Sequence, residues 1–384
     1  MITGDFKPPV VAVCASFEVC AKEVLWERRK RVFGLERRKT VNFKVGSVGV
    51  GSDYPVSIQS MTNTDTRDAE ATLKQIRQLA DAGCQIVRCA VPDEQAAEAL
   101  RVICKESPLP VIADIHFKYR LALMAMDAGI SSLRINPGNI GSEANVREVV
   151  SKAKGMGVPI RIGVNGGSLE KDLLKKYGHP TPEALVESAL RHVRILEDLN
   201  FENIKISLKS SDVALMLDAY RLIADQVPYP LHLGVTEAGN AKYGTVKSAV
   251  GIGTLLAEGI GDTIRVSLTG NPLQEIPVAK EILRSLNLYP KGVELISCPT
   301  CGRTQIGLEH LVDEVDQIVS GINKPLKLAV MGCVVNGPGE AREADLGIAG
   351  GKGDGIIFRK GEIIRKVPED QLIEAFKEEL DKIL

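Results

Sequence analysis

From residue 56 onward the chain alternates short β-branched or apolar runs with longer stretches of helical spacing, and this rhythm constrains the fold more than any other feature. The runs fall at residues 56–61, 86–91, 111–117, 132–137, 160–165, 204–208, 231–236 and 264–268. Between them, residues 69–83, 94–105, 146–156, 183–199, 213–224 and 246–258 read as helices, and Gly83, Gly129, Gly157 and Gly259 stand where a helix C-cap wants glycine. Such alternation implies right-handed βαβ units and a parallel sheet. Eight units over roughly 230 residues is the size of a (β/α)8 barrel. An open doubly wound sheet is the alternative, but it usually has fewer units and no glycine fingerprint follows the first run here. Aromatic residues make up only 4% of the chain, so Val, Ile, Leu and Ala must fill the core, as suits parallel strands covered by helices.

The ends differ from this middle. Residues 1–35 read as an N-terminal extension, with Pro8-Pro9, a lone Trp26, and seven basic residues against Glu36 alone between Arg28 and Lys39. That cluster suits either a solvated arm or one that touches an anion. Residues 36–286 make the barrel. After Pro290 the rhythm changes: strands at 293–296 and 326–331, a helix at 308–319, a hairpin at 356–367 turning at Lys360-Gly361, and a last helix at 369–383. Residues 292–384 therefore read as a separate α+β domain, joined through 287–292. The glycine run from Gly350 to Gly355 matches no nucleotide-loop spacing and reads as a turn.

Net charge is −1, which removes any global electrostatic case for nucleic acid or membrane binding. No apolar run reaches the roughly 18 residues of a membrane helix. The apolar run at 10–15 precedes its basic cluster, the reverse of a secretory signal. Eight cysteines are too sparse for a disulfide scaffold, so a cytoplasmic location is the expectation.

Two constellations carry chemistry. Cys298-Pro-Thr-Cys301 and Cys333 each follow a predicted strand of the small domain, and three soft thiolates suit an iron–sulfur cluster or zinc. The domain offers no fourth cysteine; His310 sits inside a predicted helix, while Glu340 and Glu343 follow the Asn336-Gly-Pro-Gly turn. A cluster with three thiolates and one weaker oxygen ligand leaves one iron able to exchange ligands. A thioredoxin-like dithiol leaves Cys333 unexplained, and a structural zinc wants four cysteine or histidine ligands. Cys84, Cys89 and Cys104 read as buried packing residues, and Cys14 and Cys20 have no arguable partner.

The second constellation is cationic. A (β/α)8 barrel builds its site where the strands end. Those ends carry Arg67, Arg134 and Asn136, Arg161 and Asn165, Lys205 and Lys209, and Arg265, with Arg88 inside the second strand and His232 on the seventh. Scattered ion pairs are the plain alternative, but guanidinium groups on several strands match phosphate oxygens and read as an anion pocket, most simply for a diphosphate. Asp114 and His116, two apart, share a strand face and suit a proton donor or a substrate hydroxyl. Glu237, at the end of the seventh strand, is the acid–base candidate.

Six stretches then carry a resemblance. Gln59-Ser-Met-Thr-Asn-Thr, Arg134-Ile-Asn-Pro-Gly-Asn, Arg161-Ile-Gly-Val-Asn-Gly-Gly-Ser-Leu, His232-Leu-Gly-Val-Thr-Glu-Ala-Gly, Ser297-Cys-Pro-Thr-Cys-Gly-Arg-Thr and Gly332-Cys-Val-Val-Asn-Gly-Pro-Gly-Glu resemble the 4-hydroxy-3-methylbut-2-enyl diphosphate synthase family. These are iron–sulfur enzymes of the non-mevalonate isoprenoid pathway, and the likeness spans about residues 36–384 in the shorter bacterial form. Residues 1–35 extend beyond the family's usual start. The resemblance implies reductive ring opening and dehydration of 2-C-methyl-D-erythritol 2,4-cyclodiphosphate to 4-hydroxy-3-methylbut-2-enyl diphosphate. It implies a [4Fe–4S] cluster on Cys298, Cys301, Cys333 and Glu340, with electrons from reduced flavodoxin or ferredoxin. It also implies a homodimer in which one chain's cluster domain faces the other's barrel. Outside the family, the competing readings are a phosphate- or pterin-binding barrel transferase with a structural zinc domain, and an iron–sulfur electron carrier or sensor.

Overall fold

The computed structural model describes residues 31–32, 35–136, 139–289, 292–333 and 341–384. The chain divides into two compact units, Met1–Leu288 and Tyr289–Leu384.

The first unit is a parallel barrel. Its strands are β1 (Ser57–Met61), β2 (Ile86–Ala90), β3 (Val111–Asp114), β4 (Ser132–Ile135), β5 (Ile160–Asn165), β6 (Ile204–Lys209), β7 (His232–Leu233) and β8 (Thr263–Ile264). They are ordered β6-β5-β4-β3-β2-β1-β8-β7, and a parallel bridge between Ile206 and Leu231 closes the ring. The expected (β/α)8 architecture is therefore present. Helices α1 (Ala69–Asp81), α2 (Glu94–Glu106), α3 (Tyr119–Asp127), α4 (Glu143–Met156), α5 (Lys171–Tyr177), α6 (Pro182–Glu197), α7 (Val213–Ala224), α8 (Ala241–Ala257) and α9 (Glu275–Ser285) accompany the strands. Many start with a side-chain cap on the strand-end side: Asp68, Asp93, Thr181, Asp212 and Asn240 each accept an N–H from the first turn. Gly157 closes α4 at φ 66°, the left-handed cap read from sequence.

An antiparallel hairpin, Phe43–Val45 with Val48–Val50, precedes the barrel. Its Phe43, Val45 and Val50 pack on Ile86 and Ile112, which open or lie near the start of β2 and β3. The hairpin therefore plugs the N-terminal end of the barrel and leaves the C-terminal end for chemistry. The basic cluster ahead of it is partly structural. Arg37 donates to the Tyr54 carbonyl at 2.7 Å and pairs with buried Asp262 at 3.1 Å, while Arg38 donates to the carbonyls of Ala224, Val227 and Tyr229. Trp26, Cys14, Cys20 and the rest of the extension ahead of residue 31 lie outside the described residues.

Among the described residues, the second unit is one mixed sheet with two α-helices. Strands β9 (Val293–Ser297), β10 (Leu326–Met331) and β11 (Leu346–Gly350) run parallel, β12 (Asp354–Arg359) adds antiparallel to β11, and β13 (Glu362–Pro368) adds antiparallel to β12. Helices α10 (Leu308–Val319) and α11 (Leu372–Asp381) bury Leu311, Val315, Phe376 and Leu380 against Leu328, Val330 and Ile348. Lys360 and Gly361 turn the last hairpin with φ 49° and 83°, both positive, as a two-residue hairpin of this twist requires. The glycine run makes the preceding turn, closed by Gly351 N–H donating to the Asp354 carbonyl at 2.6 Å.

Candidate active site

The barrel interior is polar where most such barrels pack aliphatic side chains. Strand register puts residues from alternate strands into common layers. The odd strands supply Gln59, Ile112, Arg161 and His232 to a deep layer. The even strands supply Arg88, Arg134, Ser207 and Arg265 to the next. Above these come Met61, Asp114, Gly163 and Gly234, then Asn136 and Lys209, while Lys205 lies one layer beneath Arg161. Two of the glycines make room for cations. A Cβ on Gly163 would lie 2.6 Å from Arg134 Nε, and one on Gly234 would lie 2.8 Å from Lys209 Nζ.

Asp114 is the hub of the upper layers. Its carboxylate accepts from Arg134 Nη1 at 3.2 Å, and Arg88 Nε stands 3.6 Å and His116 Nε2 3.7 Å away. Burial would push this carboxyl up, but Arg88, the His116 hydrogen bond, Arg134 and Arg161 together hold it well below the usual range. Arg134 also donates to the Gly163 carbonyl at 3.2 Å. Arg265 meets Glu275 at 3.3 Å, and Glu275 is fixed in turn by Ser60 Oγ at 2.8 Å and Leu268 N–H at 3.2 Å. Among these interior groups Arg88, Arg134, Arg161, Lys205 and Lys209 are buried and Arg265 is half-buried; Asp114 and Glu275 face them, and Asp262, itself paired to Arg37, acts on Lys205 from below.

That imbalance shows in the protonation equilibria. Burial, with Arg161 adjoining, pushes the Lys205 ammonium down to about 7. Burial with Arg265, Arg161 and Arg88 drives Lys209 well down, and burial lowers Arg161 and His232 too. Lys205 Nζ, Arg161 Nε and Nη1, Arg134 Nε and His232 Nε2 are buried without a hydrogen-bond partner in the protein. Unpaired buried donors of this kind cost about 1–3 kcal/mol each, a cost that an anionic ligand removes. A bound dianion favours the protonated lysine, so binding above pH 7 is expected to take up protons and to weaken as pH rises. Calorimetric titration with inorganic pyrophosphate in buffers of different ionisation enthalpy measures the uptake. In the ligand-free protein the sign is the opposite. An unfolded lysine keeps its proton to about pH 10, so the Lys205 burden on folding lightens as pH rises from 7 towards 10.

Of the residues singled out from sequence, Asp114, Arg134, Asn136, Arg161, Lys205, Lys209, His232 and Arg265 converge on this interior, with Asn165 at its rim and His116 exposed above Asp114. His232 Nδ1 meets Thr263 Oγ1 at 2.7 Å, deep in the barrel. Glu237 is exposed just beyond β7 and holds φ 52°, a left-handed conformation that costs a non-glycine residue about 1–2 kcal/mol. Arg67 is not brought into the group. It is half exposed and held outside by Asp65 at 2.6 Å and Asp93 at 3.5 Å. Arg88, read from the sequence as lying inside the second strand, does join the layers beside Asp114. The signal that marks Arg88 was its position on β2 one pleat before the strand end.

In the second unit, Cys298 follows β9 and Cys333 follows β10, neighbouring strands that pair in register at Ser297 and Val330. Gly332 N–H donates to Cys298 Sγ at 3.2 Å, the kind of contact that stabilises a metal-bound thiolate. Cys301 is exposed, and the Arg303 backbone N–H, followed by its side chain, lowers the thiol's pKa. By contrast burial pushes Cys84 and Cys89 up to about 11 and Cys104 up to about 12, as inert packing thiols should be. His310 is exposed on α10 beside Glu314 at 3.7 Å. Among the described residues no three metal-binding side chains are gathered into one centre. Glu340 and the turn before it lie outside the described residues.

Residues 40–280 match the GcpE TIM-barrel domain, and residues 294–382 match the GcpE protein C-terminal domain. A protein of Geobacter sulfurreducens named 4-hydroxy-3-methylbut-2-en-1-yl diphosphate synthase (flavodoxin) is 63% identical over 348 residues, covering 91% of this chain and 99% of its own. Similarly named proteins of Clostridium tetani and Clostridium perfringens are 60% and 61% identical, each over 91% of this chain and covering 100% and 99% of their own lengths. This chain belongs to the 4-hydroxy-3-methylbut-2-en-1-yl diphosphate synthase (flavodoxin) family, oxidoreductases of the non-mevalonate isoprenoid pathway.

Proposed function

We propose that this chain opens the ring of 2-C-methyl-D-erythritol 2,4-cyclodiphosphate by reduction and releases 4-hydroxy-3-methylbut-2-enyl diphosphate and water. The observation that carries the reading is the excess of cations over carboxylates inside the barrel, where buried Arg88, Arg134, Arg161, Lys205 and Lys209 and half-buried Arg265 meet Asp114, Glu275 and Asp262, in a chain of this family. The conversion consumes two electrons and two protons, and the relatives' name points to flavodoxin as the donor, with ferredoxin as the related alternative. Neither the zinc-domain transferase nor the electron-carrier reading explains a full-length match to synthases together with a cation-lined interior.

In this reading Arg88, Arg134, Arg161, Lys209 and Arg265 hold the diphosphate, and their fixed positive charge stabilises the charge that develops on its oxygen as the ring opens. Asp114 aligns Arg88 and Arg134 and, with His116, orients a substrate hydroxyl. Asn136 Oδ1, buried without a protein partner, and Asn165 supply further hydrogen-bonding groups. Glu237, on its left-handed turn at the open end of the barrel, is the residue that moves a proton.

The cysteine set fits an iron–sulfur group. Its three thiols are soft donors from neighbouring loops, one with a lowered pKa and one already accepting a backbone N–H. Cys298, Cys301, Cys333 and Glu340 would hold a [4Fe–4S] cluster. Bound there, it supplies single electrons and, at the iron held by the carboxylate, a ligand position open to exchange. The same reading takes the working enzyme as a cytoplasmic homodimer.

Arg134→Ala or Arg161→Ala is expected to weaken cyclodiphosphate binding by about 1.5–3 kcal/mol, the size of a charge-assisted contact, while iron content stays at the parent level. Equilibrium binding to the purified variants tests this. Parent-like affinity in both would overturn the anion-pocket assignment.

A further inference from the structure

The seam between β6 and β7 does not follow the ladder of the other strand pairs. Ile206 N–H donates to the Pro230 carbonyl at 3.0 Å and Ile206 bridges Leu231, so the next parallel rung should run from Leu208 N–H to the His232 carbonyl. A side chain stands in that rung instead. Leu208 N–H donates to Tyr220 Oη at 3.1 Å, and Tyr220 Oη donates to the His232 carbonyl. Further along, Thr236 N–H donates to the Ser210 carbonyl at 3.2 Å and the strands rejoin. Two hydrogen bonds in series replace one, so the strands stand apart between these points.

Lys209 and Gly234 flank this opening. A Cβ on Gly234 would lie 2.6 Å from the Arg265 carbonyl and 2.8 Å from Lys209 Nζ, so the ammonium lies across bare backbone. Tyr220 comes from α7 and is fully buried, and its hydroxyl bonds to backbone only, accepting from Leu208 N–H and donating to the His232 carbonyl. We propose that Tyr220 is a positioning residue: its hydroxyl, inserted as a rung between β6 and β7, holds the seam open so that Lys209 can cross Gly234 and reach the diphosphate. Burial pushes the phenol's pKa up, so the hydroxyl remains a donor through the physiological range. The inference rests on the reading of Lys209 as a diphosphate ligand.

The test compares the iron-loaded parent with Tyr220→Phe, Lys209→Met and the double variant, measuring melting temperature, kcat and KM for the cyclodiphosphate. Tyr220→Phe keeps the ring in the core, and its KM is expected to rise roughly tenfold, the scale of one displaced charge-assisted contact, with kcat within about threefold of the parent. In the Lys209→Met background the same change should leave KM where Lys209→Met put it. Purely structural damage would lower the melting temperature without that dependence on Lys209. If Lys209→Met raises KM but Tyr220→Phe does not, or if the two effects add, the positioning inference is overturned and the diphosphate reading stands. If Lys209→Met leaves KM unchanged, the assignment of Lys209 fails, and the inference with it. Should Tyr220→Phe melt too low to assay at the parent's temperature, KM of parent and variant is compared below the variant's melting temperature, where an unchanged KM overturns the inference.

Discussion

Serine at Cys298, Cys301 or Cys333 is expected to remove most of the bound iron and sulfide from anaerobically purified protein, and turnover with it. A hydroxyl is a harder, less acidic donor than a thiol and holds iron poorly. The effect should differ in kind from that of serine at buried Cys84 and Cys89 or half-buried Cys104, whose thiols are raised to about 11 or 12. Those three changes are packing changes in the barrel and should leave iron per chain at the parent value. Iron and sulfide analysis with absorption spectra separates the two groups. Loss of iron on changing Cys84, Cys89 or Cys104, with Cys298, Cys301 and Cys333 tolerant, would remove the case for the second unit as the cluster domain.

Asp114→Asn is expected to destabilise the ligand-free barrel by about 3–5 kcal/mol, the usual cost of leaving a buried charge without its partner. The change keeps the shape of the side chain but leaves Arg88 and Arg134 buried beside a neutral amide, with Arg161 close below. The pH dependence follows from the sign of the shift. Asp114 is held below its unfolded value, so its contribution is complete above about pH 4 and is lost as pH falls through the folded value. Parent and variant should therefore differ fully at pH 7 and converge in acid. A diphosphate ligand restores negative charge to the same guanidinium groups, so the cyclodiphosphate or inorganic pyrophosphate should raise the variant's melting temperature more than the parent's. Equal melting temperatures for parent and variant at pH 7 would mean that Asp114 is not the hub of the cation layer.

How the chain folds was largely readable from its pattern. Apolar runs separated by helical spacing specify strands and helices locally, and β1 to β6 lie close to the runs that announced them. The last two strands came out at two residues each, far shorter than read. The seventh run, 231–236, yields only His232–Leu233 as strand, because the Tyr220 hydroxyl takes the next rung and the backbone leaves the ladder. The eighth, read at 264–268, is strand at Thr263–Ile264, beyond which Leu268 N–H turns to the Glu275 carboxylate. Helix α5 and the Phe43–Val50 hairpin were not read at all. The hairpin had a signal, alternating Phe43, Val45, Val48 and Val50 around Gly46, whose φ of 58° suits the turn.

The chemistry divides along the same line. Residue type and spacing alone marked the CxxC pair with Cys333, the strand-end cations and the Asp114–His116 pair, because a thiolate, a guanidinium or a carboxylate carries its reactivity wherever it is placed. Which cations share a layer was decided by strand register and barrel tilt, long-range quantities that no local stretch encodes. Register seats Arg88 beside Asp114, while two nearby aspartates hold Arg67 outside. The depth of Lys205, and with it a pKa pushed down to about 7, arises only when eight strands close and exclude water from it and from neighbouring Arg161. Composition and order determined that this chain forms a barrel with a cysteine-bearing domain after it; closure of the barrel decided which of its charges meet.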